Sequence, residues 1–116
     1  QTVLLDSESQ MDAVTAVSGS GPAYVFHLIE TLAAAGVAQG LPEGVAMQLA
    51  RATITGAGEL AYRSPESAAQ LRVNVTSPGG TTAAALRVLM DEATGFPALL
   101  TRAVKAAADR SRELGQ

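Results

Sequence analysis

The sequence contains no cysteine, no tryptophan, one histidine and only two residues each of phenylalanine and tyrosine. Without cysteine the chain has neither a disulfide framework nor a thiolate metal site. A single histidine excludes a histidine-based zinc centre, and no acidic pair stands at a metal-ligand spacing around it. We therefore expect no metal. Because nothing in the sequence requires an oxidising compartment, we expect a cytoplasmic protein.

Positive charge is also scarce, since 8 Lys and Arg stand against 11 Asp and Glu and the formal net charge is -3. A chain without a basic field lacks the electrostatic footprint of a nucleic-acid or membrane-surface binder. The longest apolar stretch, 22–38, is interrupted by His27 and Glu30 and is too short for a membrane span. The apolar residues 1–5 give way at once to Asp6, Ser7 and Glu8, which does not predict a signal peptide.

Alanine and glycine are abundant, with 23 and 11 of the 116 residues, and hydrophobic residues make up 47%. This length and apolar content predict one compact domain and exclude disorder. Alanine is the strongest helix former, and runs of aromatic or β-branched residues are few. The composition therefore predicts an all-α fold with about six helices.

Proline and glycine predict where these helices begin and end, because four of the five prolines stand where a first helical turn is expected. Gly40 ends one predicted helix, and Ser18 to Gly21 break another. The predicted elements are a strand or extended segment at 2–5, a short helix ending near Val17, and helices at 22–38, 43–62, 66–75, 83–90 and from 96 onward.

The two longest predicted helices are apolar on nearly every side. In the helix from Pro22, only His27, Glu30 and Thr31 interrupt the apolar surface. A chain of this size cannot cover two such helices by itself. Small residues in both helices would let their axes approach closely. We therefore predict an extensive, interlocked homodimer, with a self-sufficient helical monomer as the alternative.

The loop Ser77-Pro78-Gly79-Gly80-Thr81-Thr82 runs directly into a predicted helix. Free amides at a helix N-terminus, backed by the helix dipole, bind anions, and the two glycines let a ligand approach the backbone. A carboxylate would suit this loop, although a tight turn and helix cap without a ligand is the alternative. The Gly19-Ser20-Gly21 string is not a dinucleotide fingerprint, because the third glycine position holds Tyr24.

The segment 71–86, with Met90 and Asp91 after it, resembles the signature of pyrroline-5-carboxylate reductase. Residues 12–24 and the tripeptide 40–42 are similar to the same family at the expected distances. The resemblance implies a two-part enzyme, in which a Rossmann domain for NAD(P)H precedes a helical domain that dimerises and completes the active site. It further implies an intertwined fold of the 6-phosphogluconate dehydrogenase C-terminal-like type. Residues 1–10 would be a connector or strand from the missing nucleotide-binding domain, and 11–116 the helical dimerisation and substrate-binding domain.

The same resemblance implies roles for individual residues in reducing 1-pyrroline-5-carboxylate to L-proline in proline biosynthesis. The substrate carboxylate would lie on the loop backbone, and the Thr82 hydroxyl would meet the ring nitrogen as the catalytic contact. The chain alone would be inactive, because the cofactor is bound mainly by the missing domain. The implied substrate-binding residues are Ser77, Gly79, Gly80, Thr81 and Thr82, and those lining the nicotinamide are Asn74, Val75, Thr15 and Ser20.

The remaining charged residues and the histidine are interpreted mainly as structural or surface residues. His27 is the only histidine and so a candidate general acid, but it lies inside an apolar helix, and we interpret it as a core or interface histidine instead. Arg72 and Arg87 flank the loop and either strengthen its field or face solvent. We assign Glu59 and Glu66 to surface and capping roles.

Two alternative functions stay open. One is a non-catalytic helical oligomerisation or regulatory module of the same fold. The other is a phosphate-binding loop of a nucleotide enzyme. The choice between NADH and NADPH, and assembly beyond a dimer, also stay open.

Overall fold

The computed structural model describes residues 8–115, which form six α-helices, one π-helix and no strand. The all-α prediction is confirmed for this range, whereas the strand predicted at 2–5 lies outside the described residues. The first helix begins at Glu8, so residues 8–10 of the predicted 1–10 connector are helical. The elements are α1 (Glu8–Val14), the π-helix (Thr15–Gly19), α2 (Gly21–Ala38), α3 (Glu43–Arg63), α4 (Ala68–Asn74), α5 (Thr81–Leu89) and α6 (Phe96–Leu114).

Most helix starts follow the prolines as predicted. Pro42 is the N-cap of α3, and Pro97 lies in the first turn of α6. The start predicted at Glu66 is two residues early, because α4 begins at Ala68. The hydroxyl of Ser67 accepts a hydrogen bond from the amide of Gln70 at 3.1 Å and so caps the helix there. A side-chain cap, rather than the proline, determines this boundary.

The π-helix was not predicted, since the sequence favoured an α-helix as far as Val17. Its wider turn is closed by the amide of Ser20, which donates to the carbonyl of Thr15, five residues back, at 2.8 Å. The hydroxyls of Thr15 and Ser18 donate to the carbonyls four residues earlier. Such back-bonding competes with the regular helix ladder. The resulting turn buries Ala16 completely.

The chain divides into two compact units, and the first joins the residues up to Pro22 to those from Gly79 onward. In this unit α6 packs on α1 and on the π-helix. The hydroxyl of Ser111 donates to Asp12 at 2.7 Å, and the guanidinium of Arg112 lies 3.9 Å from the same carboxylate. Two small residues, Ala16 and Ala108, are the buried apolar residues described in this unit.

The second unit comprises Ala23–Pro78 and is built on the hairpin of α2 and α3. Ala33, Ala46 and Ala50 form its buried cluster, with Ile29 packed against them. At Gly36 an added Cβ would lie 3.3 Å from a Leu41 methyl group and 3.4 Å from the Cβ of Ala46. The two helices can therefore approach this closely only because small residues form the contact.

The large apolar side chains described in both units are at most half-buried. The buried apolar residues described in the chain are all alanines, and no large side chain among the described residues is fully buried. Phe26 on α2 is 64% exposed and Leu49 on α3 is 52% exposed. In this single chain α2 and α3 thus retain the uncovered apolar surface that the sequence predicts.

Among the described helices, none has the length and apolar character needed to span a bilayer.

A compact turn between α5 and α6 is organised by Asp91. One of its carboxylate oxygens accepts hydrogen bonds from the amides of Ala93 and Thr94, both at 2.9 Å, and from the Thr94 hydroxyl at 3.0 Å. The Thr94 and Ala93 amides, with the Thr94 hydroxyl, lower the pKa of Asp91 below its ordinary value. Gly95 closes the turn and is buried. An added Cβ there would collide with the carbonyl oxygen of Leu89 and would lie 2.7 Å from that of Asp91.

We expect Gly95→Ala to lower the free energy of unfolding by at least about 2 kcal/mol, because backbone atoms rather than a movable side chain occupy the space. Urea unfolding at a fixed protein concentration measures the change. Gly58→Ala is the matched control, since nothing lies within 4 Å of its added Cβ. This control should gain up to about 1 kcal/mol from the better helix propensity of alanine. Equal stability of the two variants would contradict the collision.

The lowered pKa of Asp91 predicts a pH dependence of stability. When folding lowers the pKa of a carboxyl group, that group stabilises the folded protein at pH values above its ordinary pKa, which is 3.8 for Asp91. This stabilisation is lost as the pH falls through the lower pKa of the folded state. The stability difference between the parent protein and Asp91→Asn should therefore be constant near neutral pH and shrink below 3.8. Urea titrations across this range test it, with Glu92→Gln as the neighbouring control. A difference that does not vary with pH would refute the prediction.

Candidate functional site

The loop before α5 ends at a helix N-terminus without a side-chain cap. Gly79 has a φ of +73°, which favours glycine, and Gly80 is the N-cap residue. Its carbonyl accepts from the amide of Ala84 at 3.2 Å. The amides of Thr81 and Thr82 in the first turn find no acceptor within residues 8–115. They form, with the helix dipole behind them, the donor set that the sequence predicts for an anion.

Hydroxyl groups at this loop are free, whereas most others in the described chain are engaged. Those of Ser77, Thr81 and Thr82 make no hydrogen bond within residues 8–115. Thr82 is half-buried, while the other two are exposed. By contrast, these hydroxyls bond to backbone or carboxylate groups: Thr15, Ser18, Thr31, Thr53, Ser64, Ser67, Thr76, Thr94, Thr101 and Ser111. The loop thus combines free hydroxyls with free amides, which suits a polar ligand.

The predicted substrate-binding residues are divided between the two units, and each group is described by itself. Ser77 belongs to the unit of 23–78, whereas Gly79 to Thr82 belong to the other. Just before the loop, the Thr76 hydroxyl donates to the carbonyl of Arg72 at 2.6 Å, so Thr76 is committed to its own helix end. The residues available to a ligand therefore begin at Ser77.

The predicted nicotinamide-side residues also belong to different units. Thr15 and Ser20 lie in and just after the π-helix, where the Thr15 hydroxyl is committed to the carbonyl of Met11. The hydroxyl of Ser20 has no partner among the described residues. Asn74 and Val75 lie at the end of α4, and Val75 is 65% exposed.

Sequence reasoning missed the polar contacts of Asn74. Its Nδ2 atom donates to both carboxylate oxygens of Glu66, at 3.4 and 3.3 Å, and its Oδ1 accepts from Gln70 at 2.7 Å. The predicted capping role of Glu66 is wrong, because Ser67 caps α4. The spacing of Gln70 and Asn74, four residues apart on one helix, was the available signal.

Arg72 and Arg87 are both exposed, in agreement with the second of the two positions that the sequence left open for them. Arg87 lies in the last turn of α5, about 9 Å along the axis from Thr81 at about 1.5 Å per residue, so it is at the wrong end to strengthen the anion site. Arg72 is exposed in the last turn of α4. His27 is exposed, 3.1 Å from a carboxylate oxygen of Glu30, and does not lie in a core of this chain. Its interface role stays a prediction.

Comparison with known proteins identifies the family. The family model described as "Pyrroline-5-carboxylate reductase dimerisation" matches residues 8–114, which include the loop and every described helix. The chain belongs to the pyrroline-5-carboxylate reductase family. A pyrroline-5-carboxylate reductase of Synechocystis is 52% identical over 109 residues, which are 94% of this chain and 40% of that protein. The Arabidopsis thaliana enzyme of the same name is 49% identical over 114 residues, 98% of this chain and 41% of its own length.

Solved structures of pyrroline-5-carboxylate reductases have the same helical fold. The Plasmodium falciparum pyrroline carboxylate reductase with NADP bound superposes with a TM-score of 0.85 at 40% identity, covering 96% of this chain and 42% of its own. The Coxiella burnetii enzyme gives 0.86 at 41% identity, covering 95% and 40%. The chain thus has the fold of the family's dimerisation domain and spans about two-fifths of the length of these relatives.

Proposed function

We propose that this chain is the dimerisation and substrate-binding domain of a pyrroline-5-carboxylate reductase, which reduces 1-pyrroline-5-carboxylate to L-proline with NAD(P)H. The family membership and the uncapped α5 N-terminus with its free hydroxyls support this function. In the proposal a nucleotide-binding domain precedes the chain, residues 1–10 connect to it, and the complete protein acts in the cytoplasm.

The α5 N-terminus is proposed to hold the substrate carboxylate. The amides around Gly79, Gly80 and Thr81 and the free hydroxyl of Ser77 offer donors to an anion, and the positive end of the helix dipole favours its charge. The exposed glycine before the helix leaves the backbone accessible. Because these donors are fixed by the backbone, binding would orient the whole ring of the substrate.

Thr82 is the proposed catalytic residue. It lies one residue into α5, and its half-buried hydroxyl has no partner in the described chain. With the carboxylate held by the preceding amides, this hydroxyl would donate its hydrogen to the ring nitrogen. That contact would polarise the C=N bond and stabilise the developing amine in the transition state.

The residues present fit one end of a nicotinamide dinucleotide. NAD(P)H supplies the hydride that reduces the carbon of the substrate C=N bond, which becomes C5 of proline. The exposed side chain of Val75 offers an apolar surface to a ring, and the Asn74 amide has hydrogen-bonding capacity left. The Ser20 hydroxyl has no partner within residues 8–115 and could also contribute. Thr15 would contribute through its methyl group, since its hydroxyl is committed. Within residues 8–115 no strand precedes a glycine-rich turn, so the dinucleotide phosphates are assigned to the preceding domain.

In the full-length protein, Thr82→Ala should lower kcat/KM for 1-pyrroline-5-carboxylate roughly tenfold or more, the effect of one lost transition-state hydrogen bond. Steady-state kinetics at saturating cofactor measures it, and Thr82→Ser should recover most of the activity. Thr55→Ala is the control, because this exposed α3 threonine, like Thr82, has no hydroxyl partner in the described chain. Unchanged kinetics in Thr82→Ala would favour the non-catalytic module instead.

We also propose that the chain forms a homodimer through α2 and α3. A groove of about 580 Å³ between these helices is lined by Ala33, Ala34, Val37 and Met47 together with Glu30, Glu43 and Gly44. The exposed aliphatic and aromatic side chains of both helices continue this apolar surface. An uncovered apolar surface of this kind marks a protein interface.

Sedimentation velocity at micromolar concentration should therefore show a dimer or a multiple of it. Phe26→Asp should shift the population toward monomer, because a carboxylate buried in an apolar interface is strongly unfavourable. Val88→Asp is the control, because it places the same charge at an exposed residue near the end of α5, outside the proposed interface. A monomeric parent protein would contradict the homodimer.

A further inference from the structure

Three side chains along α4 form a connected polar group that the proposed chemistry has not yet used. The carboxylate of Glu66 accepts from the Nδ2 atom of Asn74 at 3.3 and 3.4 Å, and the Nε2 atom of Gln70 donates to Asn74 Oδ1 at 2.7 Å. Glu66 stands before the helix and Asn74 is its last residue. The group therefore joins the two ends of α4 through side chains.

This arrangement determines which way the Asn74 amide faces. An ionised carboxylate can only accept hydrogen bonds, so the atom opposite Glu66 must be the amide nitrogen. Turning the amide over would place its oxygen against the two carboxylate oxygens. Gln70 alone would not prevent that rotation, because its own amide can present either a donor or an acceptor. Glu66 is thus the residue that fixes the orientation.

The fixed amide keeps part of its hydrogen-bonding capacity. A primary amide has two N–H donors and two acceptor lone pairs. With one N–H directed to Glu66 and one lone pair used by Gln70, one donor and one acceptor remain. A donor and an acceptor on a single planar group are complementary to another carboxamide, such as that of nicotinamide.

The backbone around this group is held on both sides. The hydroxyl of Ser64 accepts from the amide of Glu66 at 3.1 Å, and Ser67 caps the start of α4. After the helix, the Thr76 hydroxyl bonds back to the carbonyl of Arg72. The Glu66 and Asn74 side chains therefore extend from restrained backbone, which limits the entropy lost when they pair.

We propose that Glu66 is a positioning residue, which orients the Asn74 amide to bind the nicotinamide carboxamide. The inference rests on the proposed function, in which Asn74 lines the cofactor. Glu66 does not touch the cofactor and acts only through Asn74. Its removal would leave the chemistry intact and weaken the dinucleotide complex.

The test is a double-mutant cycle on dinucleotide binding in the full-length protein. Glu66→Ala should raise the Kd and the KM for the preferred dinucleotide by roughly three- to tenfold and leave kcat within about twofold. Glu66→Gln should weaken binding nearly as much as Glu66→Ala does, since its amide, like that of Gln70, can present either a donor or an acceptor and no longer fixes the orientation of Asn74. In an Asn74→Ala background, Glu66→Ala should have no further effect. Glu59→Ala is the matched control, because Glu59 is an exposed glutamate that pairs with Arg63 on α3.

The proposal would be overturned if Glu66→Ala bound the dinucleotide as well as Glu59→Ala does, or if the effects of Glu66→Ala and Asn74→Ala simply added. Binding by Glu66→Gln as tight as that of the parent would also overturn it, since an amide at this position would then fix Asn74 as well as a carboxylate does. A protein that binds the dinucleotide with this coupling but does not reduce 1-pyrroline-5-carboxylate would overturn the proposed function and leave the role of Glu66 standing.

Discussion

Close packing through alanine is the constraint on which this structure depends. Where α2 meets α3, the contacts are made by Ala33, Ala46 and Ala50, and α6 is held against the N-terminal segment near Ala16 and Ala108. Contacts between such small side chains bury little apolar area, and each contributes little to folding free energy. The larger apolar side chains described are half-buried or exposed, and in the proposed homodimer the surface that they form would be covered and would supply much of the hydrophobic stabilisation. This coverage agrees with the family description as a dimerisation domain.

Local signals were sufficient for most of the secondary structure. Gly40 has a φ of +102° and ends α2, and Pro42 and Pro97 stand at the starts of α3 and α6. Each of these effects depends on the backbone of one residue, which is why it can be predicted from sequence. The π-helix could not be, because its wider turn is sustained by side-chain bonds to the backbone and by packing with α6, which follows it by some eighty residues.

The same distinction between local signals and long-range contacts applies to the candidate site. Two glycines and two threonines at a helix start predict an anion-binding backbone, since the amides and their dipole are local properties. Which hydroxyls would be free could not be predicted, because Thr76 and Thr82 look alike in sequence and differ only in whether a carbonyl four residues back is within reach. The contact of Glu66 with Asn74 crosses eight residues and depends on side-chain direction, so spacing alone did not indicate it.

The connection between α5 and α6 also has a consequence for how this domain can vary among organisms. Gly95 is buried where neighbouring carbonyl oxygens leave no room for a side chain. A homologous chain with another residue at this position must therefore insert residues between the two helices or begin α6 elsewhere. Residue type at 95 and connection length should vary together in evolution, a correlation that sequences alone can reveal.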